Sequence, residues 1–220
     1  MNGPVRYLSL VGALLVSASA LAQGNPEQGK QLVMQGDGSG APCMACHGQD
    51  GGGNNAGGFP RLAGLDENYL AKQMRDYNSG SRTSPIMQPN VDNFSDQQLQ
   101  DIAAYYAAMP VPATKAPAAD DALMAQGEKL ALQGDWDNYI PPCSSCHGPD
   151  NGGMGDVFPG IAGQHPNYIA SQLRAWQAGS RSNDPNNLMV AVAERLTDQQ
   201  ITAVAAWLGA QPASAAKGGK

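Results

Sequence analysis

Two hexapeptides hold every cysteine in the chain: Cys43-Met44-Ala45-Cys46-His47-Gly48 and Cys143-Ser144-Ser145-Cys146-His147-Gly148. A C-x-x-C-H run suits covalent haem attachment, because two thiols three positions apart reach the two vinyl groups of one porphyrin. The histidine that follows is then held against the iron as proximal ligand. Paired C-x-x-C spacing also fits a four-cysteine zinc site, a pair of redox dithiols, or structural disulfides. None of these explains a histidine after both pairs, and a bridge across two residues closes too short a loop to stabilise much. The expectation is two haems, one per motif.

The sixth ligand decides whether such an iron carries electrons or binds substrate. Methionine and histidine are the candidates, and the chain can be compared with itself. Phe59-Pro60-Arg61-Leu62-Ala63-Gly64 returns as Phe158-Pro159-Gly160-Ile161-Ala162-Gly163, and the run from Asn68 through Gly80-Ser81-Arg82 returns from Asn167 through Gly179-Ser180-Arg181, both at an offset of 99. Ser95-Asp96-Gln97-Gln98 returns as Thr197-Asp198-Gln199-Gln200 at an offset of 102, which places a three-residue insertion between Arg181 and Thr197. The chain is a tandem duplication. Met87 lies eight residues before Ser95 and Met189 eight before Thr197, so these two match. Met34, Met44 and Met74 face non-methionine residues, and Met109, Met124 and Met154 also lack counterparts, as suits core or gap-filling positions. Met87 and Met189 are therefore the expected distal ligands, with ordinary core packing as the competing reading. His165, the one histidine outside the motifs, matches Asp66 at a helix start and reads as a surface cap.

Each half must supply helices to hold these groups. The pattern predicts a first helix near 27–35 and 123–133, followed by Gly36 or Gly134. A second opens at Asp66 in one copy and at His165-Pro166 in the other, ending near Gly80 or Gly179. A third starts at a capping box, Ser95 with Gln98 or Thr197 with Gln200. Its apolar stripe is Leu99, Ile102, Ala103 and Tyr106 in one copy and Ile201, Val204, Ala205 and Leu208 in the other. No strand pattern competes, and the fold class is all-α. Tyr69 and Tyr168 read as packing residues.

Residues 1–22 read as a signal peptide: one basic residue, Arg6, an apolar run from Tyr7 to Val16, and Ala20-Leu21-Ala22 before cleavage. The expected location is the periplasm. Residues 23–109 form the first domain, 110–120 a linker rich in proline and alanine, 121–210 the second domain, and 211–220 a frayed tail. The formal charge of −6 becomes more negative once Arg6 is removed. An acidic surface argues against nucleic acid as partner and for a basic docking patch on another protein.

The duplicated C-x-x-C-H-G, F-P-x-x-A-G and G-S-R motifs, each with a methionine before a capped helix, resemble the cytochrome c4 family, and the likeness covers nearly all of 23–220. It implies two class I cytochrome c domains, each wrapped around one covalent haem. It also implies thioethers at Cys43, Cys46, Cys143 and Cys146, iron ligation by His47, Met87, His147 and Met189, and haems facing each other across the domain interface. Pro60 and Pro159 stand where the family's proline carbonyl accepts the proximal imidazole N–H. Arg82 and Arg181 stand either as partners of the haem propionates or as solvent-exposed residues. The glycine-rich loop 48–58 is one residue longer than its partner. The implied function is one-electron transfer by a periplasmic monomer, between a quinol-oxidising cytochrome bc complex and a haem-copper oxidase, with peripheral membrane association left open. The competing reading is an enzyme, a di-haem peroxidase or thiosulfate-oxidising dehydrogenase, which needs an open iron site.

Overall fold

The first half contains helices α1 (Pro26–Gln35), α2 (Cys43–His47), α3 (Glu67–Ser79), α4 (Met87–Val91) and α5 (Asp96–Ala108). The second repeats them as α6 (Asp121–Leu132), α7 (Ser144–His147), α8 (Pro166–Gln177), α9 (Leu188–Ala193) and α10 (Asp198–Ala210). This computed structural model describes residues 23–36, 38, 40–113 and 119–215. The expected leader, residues 114–118 of the linker and 216–220 of the tail lie outside them. Among the described residues extended pairing is limited to isolated bridges, and the fold is all-α as expected. Three helices per half were legible from periodicity. The two extra short ones span only a turn or so and have no apolar repeat to detect.

The long helices begin where the side chains can cap them. Asn25 accepts from the Glu27 and Gln28 amides, and Asp66 accepts from Tyr69 N. Both capping boxes form, at Ser95 with Gln98 and at Thr197 with Gln200. The predicted stripes are buried throughout, and they form the centres of two cores, one per half.

In each half the first helix crosses the last at a glycine. A Cβ built on Gly29 would lie 1.9 Å from the Asp101 carbonyl oxygen, and one on Gly127 2.2 Å from that of Ala203. Only the absence of a side chain allows backbone to meet backbone there. This contact brings α1 onto α5 and α6 onto α10, and so sets the frame into which α2 and α7 are hung.

The halves meet along a seam related by approximate two-fold symmetry. Arg82 and Arg181 form an antiparallel bridge, flanked by Thr83 N to Ser180 O and Ser182 N to Ser81 O, both at 2.9 Å. Their side chains are buried, at 4% and 5% exposure, which rules out the exposed reading of either arginine. His165 also departs from expectation: its side chain makes no cap bond, and its Nε2 donates to the Gly52 carbonyl of the other half at 2.8 Å. Ala213 and Ser214 lie on the loops of the second half, where Gly163 and Gly152 have no side chain to hold them away, and Ala215 lies near Gly64 of the first half. Val111 and Pro112 do the same at Gly64 and Gly52.

Candidate functional site

The motif cysteines sit on single helical turns. Within α2, Cys43 and Cys46 are three positions apart and His47 is four from Cys43, so all three share one face. Gly48, at φ 80°, ends the turn and returns its N–H to the Met44 carbonyl. Gly148 has φ 86° at the equivalent point. A side chain at either position would be strained. All four thiols are unbridged and half-buried, and burial pushes the Cys143 thiol up to about 11.

Both histidines are buried and oriented by the loop that follows them. His47 Nδ1 donates to the Pro60 carbonyl at 3.1 Å, and His147 Nδ1 to that of Pro159 at 2.7 Å. A carbonyl can only accept, so the proton sits on Nδ1 and Nε2 keeps a free lone pair. His47 Nε2 is buried with no hydrogen-bond partner. Burial lowers the basicity of both rings, partly opposed by the proline carbonyls, so the neutral form is favoured. The Gly53 and Gly153 amides donate to the His47 and His147 carbonyls at 2.8 Å, and Phe59 and Phe158 stand edge-on to the rings.

The two methionine turns line the same cavity as these helices. Met87 N donates to Ser84 Oγ at 3.0 Å. In the second half Asp184 does this work: its Oδ2 accepts from Met189 N at 2.7 Å and from Val190 N at 3.2 Å, while its Oδ1 accepts from Trp176 Nε1 at 3.0 Å. Pro85 and Pro185 align these two residues. The insertion therefore lies partly between Arg181 and Asp184 and partly at Asn186–Asn187, both in the left-handed region that asparagine tolerates.

All eight of the cysteines, histidines and methionines singled out from the sequence line one continuous cavity of about 530 Å³ that runs between the halves. Its walls are mostly apolar, including Leu70, Ile102, Phe94, Ile169, Leu173 and Leu208. Arg82 and Arg181 line it where the halves meet. Arg82 donates to Gln73, Gln172 and Tyr168, and Arg181 to Gln172, Gln73, Tyr69 and Asn183. Each guanidinium also stacks on an aromatic ring, Tyr77 at 4.7 Å and Trp176 at 4.0 Å. Tyr69 and Tyr168 thus do more than pack. Burial alone would raise the Tyr168 hydroxyl, but the two guanidinium groups pull it below its ordinary value.

These residues fit haem. A buried imidazole lone pair without a partner faces an apolar slot bordered by two thiols, and two buried cations with only neutral partners suit the anionic propionates. Sequence reading missed Arg61 and Gln164. Arg61 is fully buried, donating to the Ala63 and Ala162 carbonyls, and Gln164 accepts from Arg61 N and donates to Arg61 O, both at 2.9 Å. Burial pulls the Arg61 guanidinium down to about 10. Gln73 and Gln172 were legible in principle, since they match within the repeated run.

The cytochrome c family profile matches residues 26–109 and again 124–211. A thiosulfate dehydrogenase electron acceptor from Thiomonas intermedia is 48% identical over 177 residues, 80% of this chain and 82% of that protein. The reduced cytochrome c4 of Pseudomonas stutzeri superposes with a TM-score of 0.75 at 38% identity, covering 86% of this chain and 99% of the other. The thiosulfate dehydrogenase TsdBA from Marichromatium purpuratum superposes with a TM-score of 0.80 at 41% identity, covering 87% of this chain and 41% of that longer one. Two matches to one family in a single chain, with full-length likeness to a cytochrome c4, account for both motifs and for the shared cavity: the chain belongs to the cytochrome c4 family of electron carriers, with two covalently bound haem c groups.

Proposed function

We propose that this carrier works in the periplasm, takes electrons from a thiosulfate dehydrogenase and passes them singly to a haem-copper oxidase, and that His47 with Met87 and His147 with Met189 would hold the two irons. One observation carries the reading: both histidines and both methionines open on one cavity that crosses the seam. A histidine and a methionine would then hold each iron, which would leave no place for a substrate, and the two sites share one cavity.

Haem iron, when bound, supplies a one-electron couple. The chain's residues set its conditions. Cys43 and Cys46, with Cys143 and Cys146, supply the thioethers. The proline carbonyls orient the imidazoles and make them better ligands. A methionine sulfur favours the reduced state, and the apolar walls exclude water. Arg82 and Arg181, on the cavity wall, would supply positive charge to the propionates.

The choice of donor rests on the relatives named as thiosulfate dehydrogenase electron acceptors, at 48% and 44% identity. They favour that enzyme over the quinol-oxidising complex expected from the sequence, with this chain as its electron acceptor. Among the described residues no helix is long and apolar enough to cross a membrane.

The test is stopped-flow reduction of the purified holoprotein by thiosulfate dehydrogenase with thiosulfate, and separately by a quinol-oxidising complex. Fast reduction by the first is expected. The rate should fall as salt rises, because steering between charged surfaces is screened over about 8–10 Å at ordinary ionic strength. Reduction by the quinol-oxidising complex alone would overturn the donor. In parallel, Met87→Ala and Met189→Ala should each open one iron to added ligand and lower the potential of one haem only.

A further inference from the structure

Exposed apolar side chains are divided unequally between the halves. Of the eight large ones found among the described residues, Met34 and Ile86 belong to the first half and Leu132, Trp136, Tyr139, Met154, Val157 and Leu188 to the second. Because the halves are duplicates, whatever the fold itself needs should occur in both. Trp136 and Tyr139 have no counterpart. Cys143 follows Gly134 by nine residues and Cys43 follows Gly36 by seven, and the shorter run Asp37-Gly38-Ser39-Gly40-Ala41-Pro42 holds no aromatic residue. Met154 and Val157 stand where the first half has Asn54 and Gly58.

The extra residues build a rigid hairpin. Asp135 and Ile140 exchange both backbone bonds, at 2.8 and 2.9 Å, with Trp136–Asn138 as one 3-10 turn between them. Asp135 Oδ2 accepts from Asn138 Nδ2 at 2.9 Å and from Gln200 Nε2 at 3.0 Å, which fastens the hairpin to α10, and Ile140 is buried in the second core. On this firm support Trp136 is 67% exposed and Tyr139 79%. Tyr139 also holds φ 56° and ψ 35°, a left-handed conformation that costs a residue with a side chain free energy. Exposed rings and local strain are not what stability alone selects.

The charges nearby say what the rings meet. From Gly134 to Gly160 the chain carries Asp135, Asp137, Asp150 and Asp156 and no lysine or arginine. Lys129 of α6 shares a small recess with Asp135 and Gln200 at the base of the hairpin. An acidic run of this kind repels anionic lipid and attracts a basic protein surface. The hairpin leads directly into Ile140, Pro141 and Pro142, which line the shared cavity, as do Val157 and Leu188. We infer that the Asp135–Ile140 hairpin anchors a docking face on the second half, and that this face takes a redox protein whose basic surface surrounds an apolar recess. Trp136 and Tyr139 fill the recess and the aspartates meet its rim. Large aromatic side chains on a pre-formed support are what the centres of protein interfaces use, because they bury much area for little lost freedom.

The test is stopped-flow electron exchange of the holoprotein with two proteins in solution, thiosulfate dehydrogenase as donor and a haem-copper oxidase as acceptor, for wild type, Trp136→Ser, Tyr139→Gly and Met34→Ser. With the partner that uses this face, Trp136→Ser should raise the concentration for half-maximal rate about tenfold and leave the limiting rate unchanged. Tyr139→Gly should do likewise while unfolding at higher denaturant, since glycine holds the left-handed backbone without strain. Met34→Ser, which removes an exposed apolar group from the other half, should change neither. Reduction by ascorbate, which needs no docking, should keep the wild-type rate throughout. Unchanged half-maximal concentrations with both proteins in Trp136→Ser and Tyr139→Gly overturn the inference, and so does an equal rise in Met34→Ser. Binding of wild type but not of Trp136→Ser to phosphatidylglycerol vesicles, with exchange unimpaired, would overturn it in favour of a membrane. The two proteins are those of the function proposed above, on which the test rests: a wild type that the dehydrogenase cannot reduce counts against that donor, and the oxidase then decides the surface.

Discussion

Beneath His47 and beneath His147 the two halves fill the same space in different ways. In the first, Gly51 leaves room for the ring of Tyr106, whose Cδ1 would lie 3.1 Å from any Cβ at position 51. In the second, Asn151 and Leu208 take the equivalent places, and Asn151 adopts the left-handed backbone at φ 55° that Gly51 has at 65°. Both solutions bury a polar group without a partner among the described residues, Tyr106 Oη in one and the Asn151 amide in the other. The backbone contacts, by contrast, are duplicated with little change: the Gly29 and Gly127 crossings, the Pro60 and Pro159 carbonyls, and the amides of Gly53 and Gly153. Side chains can trade volume in compensating pairs, but a contact made by main-chain atoms has no smaller or larger version to exchange.

This contrast can be broken most severely at the cysteines. Replacing Cys43 and Cys46 by alanine should remove one covalent haem and much of the helical signal of the first half, because a domain of this size relies on the haem to complete its core. Mass spectrometry should show one haem, against two in the parent with no free thiol. Should circular dichroism show the second half collapsing as well, the halves would be one cooperative unit and comparing them site by site would lose its basis.

A smaller effect tests the backbone side of the comparison. Gly29→Ala and Gly127→Ala each press a methyl group onto a main-chain carbonyl, and each should cost about 2–3 kcal/mol in denaturant unfolding despite the better helix propensity of alanine. Equal losses would show that the crossing is the same device in both halves. The smallest expected change is at the capping boxes. Ser95→Ala and Thr197→Ala should each cost about 1 kcal/mol, read as a shift in midpoint with the slope unchanged.

What was legible from the chain alone was local or repeated. Ser95 and Gln98 are three residues apart, so their mutual cap is visible without any fold. The matched spacing of Met87 and Met189 came from the duplication, and both turns prove to lie on the cavity wall. The seam was not legible. Arg82 looked as free to face solvent as to face a propionate, and His165 looked like a cap, because what buries them lies roughly a hundred residues away in the other half. Asp184 was hidden for another reason. It stands in the insertion, where the repeat loses register, and only the proline after it matches the first half.

The seam has one more consequence. Arg82 reaches Gln172 and Tyr168 while Arg181 reaches Gln73 and Tyr69, so each half presents the same patch to the other and receives the same patch in return. Self-complementary faces of this kind are what two identical subunits use to form a closed dimer. A one-haem precursor carrying this patch would have paired with its own copy before any linker joined them. Fusion then turned a concentration-dependent encounter into a permanent one, with an effective concentration in the millimolar range set by the short linker. Freed from having to match a twin encoded by the same codons, each half could acquire its own aspartate, its own loop length and its own filling beneath the histidine.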